Sequence, residues 1–403
     1  MIYVFFFIIL LNNYFTIEEN MTKKNFKRSV DQINNFVLNF PELTDSKINN
    51  RKKRKIITTK NTKWPLLIYI YHDMSIRTVT IQKLVKLIEQ ETCIKFRIEK
   101  SSRFYSPGIF FKYTGKCSSA IGNIQKEAWQ KIEIGPRCNN FEGILHETLH
   151  ALGLYHEQCR FDRDFFVKIY TKNMLLFETA SCKKHTAYEA FHYHLSYDYG
   201  SIMHSAVNAY AIGNLKTIIP TDPLYETTMG QTQKLSFIDI KALNLHYCTH
   251  TNCPFKRNCY NYGYQDPHNC HLCKCIDGFI GSQCEQLKMR QVRCSKTLIF
   301  PDRKPRLFFL NGRKTCVIHF VVNKTSRIRF DIIKVYMHPN TYPTCQYENT
   351  IEVKYWMDKS VTGARFCRQT ENKIILSHNN HIIFHYRSSY TTNYAHIYYN
   401  EVL

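Results

Sequence analysis

The residues best suited to chemistry stand in one short run: His146-Glu147-Thr148-Leu149-His150-Ala151-Leu152-Gly153-Leu154-Tyr155-His156. Two histidines four apart project from the same face of a helix. His146 and His150 can therefore hold one Zn²⁺, whose bonds to imidazole nitrogen are about 2.0–2.1 Å long. Glu147 stands beside the first of them, where its carboxylate can take a proton from water held by the metal. Gly153 falls where a helix ends in a left-handed or strained residue, and the sharp turn this permits brings His156 in as a third ligand. A lone histidine on an apolar helix face is more often a core residue. Five fixed positions in one pattern outweigh that reading and favour a zinc site.

Such a run needs a helix near 141–152 to hold it, and Asn139 with Glu142 three residues on forms a capping pair for its start. Around this helical stretch, residues 55–250 carry strand-like runs such as Trp64 to Tyr71 and Cys93 to Ile98, which makes the fold class α+β. The chain has 403 residues, enough for two to four domains, and its 44% apolar and 14% aromatic content excludes global disorder. Near residue 253 the texture changes, with six cysteines between Cys253 and Cys284, the density of a small scaffold held by disulfides. A charged linker, Glu285 to Arg293, leads to residues 294–403. There Cys316 to Val322, Ile328 to Val335, Thr350 to Tyr355 and His381 to Tyr386 alternate as the strands of a β-sandwich do.

Sixteen cysteines imply metal sites or an oxidising compartment. The N-terminus decides for the second: Ile2 to Leu11 is an apolar run of ten, too short to span a bilayer and suited to a secretory signal over residues 1–15. No other segment is apolar enough to span a membrane, so the expected location is extracellular. Residues 16–54 are polar and end in Arg51-Lys52-Lys53-Arg54, which in a secreted chain reads as the processing site of a pro-segment. Lys plus Arg outnumber Asp plus Glu by 55 to 32, a net charge of +23 that favours acidic partners. Nucleic-acid binding is excluded by compartment and by the lack of a recognition motif.

The third histidine after Gly153, followed by the turn Ser201-Ile202-Met203-His204, points to the metzincin class of zinc peptidases. His156-Glu157-Gln158, Arg160-Phe161-Asp162-Arg163-Asp164 and Tyr197-Asp198-Tyr199-Gly200-Ser201-Ile202-Met203-His204 closely resemble the astacins. So do Trp64-Pro65, Gly115-Lys116-Cys117-Ser118-Ser119, Cys138 and Cys248. The resemblance covers about residues 55–250 and implies a two-lobed zinc endopeptidase domain with a cleft between the lobes, made as a zymogen. By residue-for-residue match, His146, His150 and His156 would bind one zinc ion, Glu147 would be the general base, and Met203 would pack under the site. Glu157 would meet the new N-terminus, Lys55, after cleavage behind Arg54; otherwise it is a surface carboxylate paired with Arg160 or Arg163. Astacins usually place Tyr after the turn histidine, where its phenol stabilises the oxyanion. This chain has Ser205, which is too short for that reach. The alternative to a working peptidase is therefore an attenuated or inactive binding scaffold, and Tyr210 is a substitute donor at a position that reads as core packing.

The same resemblance pairs Cys93 with Cys248 and Cys117 with Cys138; by the even count the remaining Cys159 and Cys182 are expected to pair with each other, the alternative being two free thiols. Residues 251–285 resemble an EGF-like module, which implies the pairs Cys253–Cys270, Cys259–Cys273 and Cys275–Cys284. Residues 294–403 resemble a CUB-like domain, with Cys294–Cys316 and Cys345–Cys367. The arrangement as a whole resembles secreted nematode astacins, for which extracellular matrix or cuticle collagens are plausible protein substrates. Residues 294–403 hold 16 Lys plus Arg against 7 Asp plus Glu, so an acidic matrix component suits this domain. Asn20 and Asn323 head glycosylation sequences. His192 and His194 alternate without a carboxylate or cysteine set around them and are read as strand or loop residues.

Overall fold

The computed structural model describes residues 56–57, 62–101, 107–176, 179, 183–186, 190–191, 193–249, 253–288, 293–294, 296–339 and 343–403. The expected signal, pro-segment, basic processing run, Asn20, His192 and Cys182 lie outside these residues.

After β1 (Ile56–Ile57), a sheet is built from β2 (Leu67–His72), β3 (Lys95–Ile98), β4 (Gly108–Tyr113), β5 (Ser118–Ser119) and β6 (Gln130–Ile134). Its order is β3-β2-β4-β6-β5; all neighbours are parallel except the edge strand β5, which runs antiparallel to β6. Two helices cover it: α1 (Thr78–Glu91) and α2 (Phe141–Ala151). Ile81, Leu84 and Ile88 of α1 recur at helical spacing and join Ile68, Ile70, Ile109, Phe111 and Leu145 in one core. Three short strands follow, β7 (Val167–Ile169), β8 (Ala190–Phe191) and β9 (Ile218–Pro220), and then α3 (Phe237–Tyr247). β1 pairs with β8 and β7 with β9. The α+β reading holds, but the sequence pattern indicates one helix where the described residues hold three. The apolar period of α1 was present to be read, as was the Ser236–Asp239 capping box that opens α3.

The cysteine-dense segment folds as two small ribbons, β10 (Tyr264–Gln265) with β11 (Cys273–Lys274) and β12 (Phe279–Ile280) with β13 (Gln286–Leu287). Part of the expected linker is thus strand β13. Nine further strands follow among the described residues: β14 (Leu298–Ile299), β15 (Arg306–Asn311), β16 (Lys314–Val321), β17 (Arg327–Met337), β18 (Thr350–Lys354), β19 (Ala364–Phe366), β20 (Arg368–Leu376), β21 (His381–Ser388) and β22 (Tyr394–Val402). They form two sheets, β14-β16-β21-β18-β19 and β15-β22-β17-β20. The inward residues Phe308, Phe320, Phe330 and Phe384 pack between them, as alternation along the strands requires.

Seven of the eight expected disulfides are present: Cys93–Cys248, Cys117–Cys138, Cys253–Cys270, Cys259–Cys273, Cys275–Cys284, Cys294–Cys316 and Cys345–Cys367. Cys159 is buried, and its expected partner Cys182 falls outside the described residues.

The sandwich is not a pendant unit. Its core runs on into Tyr197, Tyr199, Tyr225 and Met229 of the preceding domain. The Thr362 N–H and hydroxyl donate to Asp198 at 3.0 and 3.3 Å, and Ser196 donates to Asp358 at 2.6 Å. A Cβ on Gly200 would lie 2.4 Å from the Thr362 methyl, so the backbone passes where a side chain has no room.

Candidate active site and metal centre

Helix α2 is fixed at both ends. Its cap is Asn140, whose extended backbone lets Oδ1 accept from the Gly143 N–H at 2.8 Å. Asn139, the residue expected there, donates instead to the Ser75 carbonyl at 3.1 Å. At the other end the Leu154 N–H returns to the Leu149 carbonyl at 2.9 Å and the Gly153 N–H to the His150 carbonyl at 2.8 Å. These are the two bonds of a Schellman turn, with Gly153 at φ +102°. Trp64 donates its indole N–H to the Ala151 carbonyl at 2.7 Å, satisfying another group the helix end leaves open. The chain reverses at once, and His156 returns to the helix.

There the three imidazoles converge. Nε2 of His156 lies 3.1 Å from Nε2 of His146 and 3.2 Å from Nε2 of His150. Among the described residues this is the only group of three His, Cys, Asp or Glu side chains with ligand atoms within 4.8 Å of one another. Nδ1 of His150 lies 2.8 Å from the Leu154 carbonyl and Nδ1 of His146 lies 3.3 Å from that of Ile202. A carbonyl can only accept, so Nδ1 carries the proton in both rings and Nε2 is left with its lone pair turned inward. Lone pairs facing one another repel unless a cation lies between them, and neutral imidazole donors suit zinc. The donor set fits that ion. Burial keeps the rings uncharged: it lowers His146, brings His150 down to about 3 with help from His146, and holds His156 well below the ordinary value.

Glu147 is buried on the same helix, and loss of water pushes its carboxyl up to about 7. It opens, with the three histidines, on a cavity of about 550 Å³ whose wall also carries Tyr155, His185 and Tyr210. The core-packing reading of Tyr210 was therefore half right. Its ring touches the core edge and also lines the cavity, on a backbone at φ +61° that a side-chain-bearing residue seldom adopts.

The turn at 201–204 is held from α3. Ser201 donates to Asp239 at 2.6 Å and the Ile202 N–H to the same carboxylate at 3.0 Å, which positions the carbonyl that orients His146. Sequence reasoning missed Asp239, although its place in a capping box could have marked it. Met203 is fully buried in the core that includes Leu145 and Leu149, and its carbonyl accepts from the Glu157 N–H at 3.0 Å. Tyr197 donates its hydroxyl to His204 Nε2 at 2.7 Å, so that ring is engaged away from the metal group. Ser205 is turned to Gln158, whose Nε2 donates to the serine hydroxyl at 2.7 Å while the Ser205 N–H donates back at 3.0 Å. Glu157 is buried, not superficial, and accepts from Arg160 at 3.1 Å and from the Asp198 N–H at 2.9 Å. His194 is exposed at φ +57° and belongs to no metal group.

A sequence profile of the peptidase family described as Astacin matches residues 56–248. Zinc metalloproteinase nas-26 of Caenorhabditis elegans is 32% identical over 320 residues, 76% of this chain and 74% of that protein. The chain belongs to the astacin family. Zinc metalloproteinase nas-34 of the same organism is 32% identical over 341 residues, 84% of this astacin and 55% of the relative. The chain spans about half the length of most of the relatives it matches, for example 52% of nas-23 and 43% of nas-37. Among solved structures, the zinc-protease hatching enzyme HCE-1 of Oryzias latipes is 27% identical, with 48% of this astacin and 98% of that chain covered and a TM-score of 0.43. No helix among the described residues is long and apolar enough to cross a membrane.

Proposed function

We propose that the chain is a secreted zinc-dependent endopeptidase, made as a zymogen, that cleaves extracellular proteins. The observation that carries this reading is the convergence of three neutral Nε2 atoms beside a buried carboxylate on one cavity. His146, His150 and His156 would hold one zinc ion per chain, and when bound it supplies Lewis acidity toward a peptide carbonyl and toward water. Glu147 takes the proton of the attacking water on its carboxylate and returns it to the leaving nitrogen. Tyr210 brings a phenol to the cavity wall and serves as the oxyanion donor that Ser205 cannot be. Met203 and Glu157 are supporting residues: one packs in the core, the other ties His156 to Asp198 through its backbone and carboxylate.

Two features support activation by cleavage after Arg54. Ile56 is buried and bridges Leu154, two residues before His156, so the first described residue after the basic run is anchored beside the segment that carries His156 and Glu157. Seven disulfides and the apolar leader favour an oxidising, extracellular setting. In this reading the helix-covered sheet and the segment that follows α2 are the two lobes flanking the cleft. Residues 251–285 are an EGF-like module and 294–403 a CUB-like domain that recruits protein substrates, matrix or cuticle collagens among them, or an acidic matrix partner. Asn323 is exposed in a turn and open to glycosylation. The grip of Gln158 on Ser205 favours a second reading, an attenuated scaffold that binds without cutting.

Hydrolysis of an unfolded protein by the chain beginning at Lys55, with and without a zinc chelator, separates the two. The peptidase reading expects chelator-sensitive cleavage by wild type. Inactive zinc-loaded wild type with activity only in Ser205→Tyr would leave the scaffold.

A further inference from the structure

A second polar cavity, of about 400 Å³, lies where three parts of the chain meet. The segment leading into α3 contributes Lys234, the disulfide-rich segment contributes Lys274 and Lys288, and the outer face of the β14-β16-β21-β18-β19 sheet contributes Lys354, Arg365 and Arg387. Only three carboxylates line it, those of Glu91, Asp277 and Glu352, which leaves an excess of three positive charges.

Pairing shows where the excess sits. Lys274 meets Glu91 at 3.2 Å and Lys288 meets Asp277 at 3.2 Å, so these rim lysines are matched one to one. On the floor a single buried carboxylate, Glu352, faces Arg387 at 2.9 Å, Arg365 at 3.2 Å and Lys354 at 3.6 Å. Asp277, already engaged by Lys288, reaches Arg387 and His385 only at 3.9 and 3.7 Å. Lys234, which is exposed, has no carboxylate within ion-pair distance among the described residues; it lies 3.8 Å from the centre of the Tyr347 ring, which Arg387 shares at 4.0 Å. Nε of Arg387 is buried with no hydrogen-bond partner among the described residues, and so are both ring nitrogens of His385 beside it. Burial weakens the hold of Arg365 on its proton despite Glu352, and the neighbouring Arg387 adds to that, whereas at Arg387 itself Glu352, Tyr347 and Asp277 outweigh burial and raise it. Buried cations left without enough counter-charge are costly, and an anion in the cavity would relieve them.

We propose that this cavity is an oxyanion site that takes one sulfate group, either a free ion or a sulfate ester of a glycan chain. Cations arrive from three modules on different sides, which suits a tetrahedral group better than a planar carboxylate. A bound sulfate ties α3, the disulfide-rich segment and the sandwich together, so occupancy stiffens the junction. Sulfate binding there does not depend on peptidase activity.

The test titrates the full chain with sodium sulfate, against sodium chloride at matched ionic strength, and follows the unfolding temperature. A saturable rise with sulfate alone is expected. Lys234→Glu, a change at an exposed rim position, should weaken the apparent sulfate affinity by about tenfold or more, while Arg387→Gln should abolish it if that variant folds. A sulfated disaccharide forms the second arm: tighter binding than inorganic sulfate assigns a glycan group, and binding of the inorganic ion alone assigns a free anion. No saturable shift with either probe, or an unchanged affinity in Lys234→Glu, would overturn the proposal.

Discussion

The two buried clusters of this astacin carry opposite unmet demands. At the end of α2, three neutral imidazoles bring their Nε2 atoms together, those of His146 and His150 with the lone pair turned inward, and this donor set calls for a cation. On the outer face of the sandwich, three cations crowd one carboxylate and call for an anion. The first cluster is held by fixed carbonyl acceptors, those of Leu154 and Ile202, so its geometry should survive loss of the ion. The second is held by the charges themselves. Removing one charge there should damage the fold, whereas removing one histidine from the first should damage only binding and chemistry.

The comparison can be broken most severely at the histidines. His150→Ala should leave a folded chain whose zinc content after dialysis falls from about one per chain to near zero, with peptidase activity lost. Metal analysis beside circular dichroism checks both parts, and an unfolded variant would erase the contrast. Next in size, Glu352→Gln strips the sandwich cations of their one buried partner and should destabilise by about 3–5 kcal/mol in denaturant unfolding. Added sulfate should restore part of that loss.

A kinetic change follows. Tyr210→Phe should lower kcat by about 10²-fold with little change in KM, the signature of a donor used in the transition state.

Acid should expose the sandwich further. Burial brings His319 down to about 4 and His385 to about 3, and His381 also lies well below the ordinary value. The unfolded chain therefore binds these protons more readily than the folded one. Stability should be level above pH 6.5 and fall as pH drops from there toward about 4, by about 1.4 kcal/mol per unit for each histidine. Unfolding curves between pH 7 and 4 measure this.

The smallest effect belongs to the contact between domains. Thr362→Val removes one hydroxyl bond to Asp198 but keeps the N–H bond, and should cost about 1 kcal/mol.

The two clusters also differ in how far they can be read from sequence. His146, Glu147, His150, Gly153 and His156 lie within eleven residues, so helical spacing and one glycine turn specify their meeting. The cysteine pairings beyond residue 250 were legible from resemblance to whole modules, while Cys93–Cys248 and Cys117–Cys138 came with the peptidase resemblance. Glu352, Arg365 and Arg387 come together only because β18, β19 and β21 are neighbours in one sheet and another module covers that face. No spacing rule announces that. Tyr210 was visible as a substitute donor but its setting only half legible, because an aromatic in an apolar run reads as core whichever cavity it borders. Asn139 was expected to cap α2 and Asn140 does so, since either amide satisfies the pattern and only backbone conformation chooses between them.

The central claim is that Glu147 moves the proton in a zinc-dependent cleavage. Its most direct test compares wild type and Glu147→Ala, both starting at Lys55, for zinc content and for cleavage of an unfolded protein. The account predicts equal zinc in the two and a rate lower by about 10²–10⁴-fold in the variant. Equal zinc with undiminished cleavage, or no cleavage by zinc-loaded wild type, would contradict it.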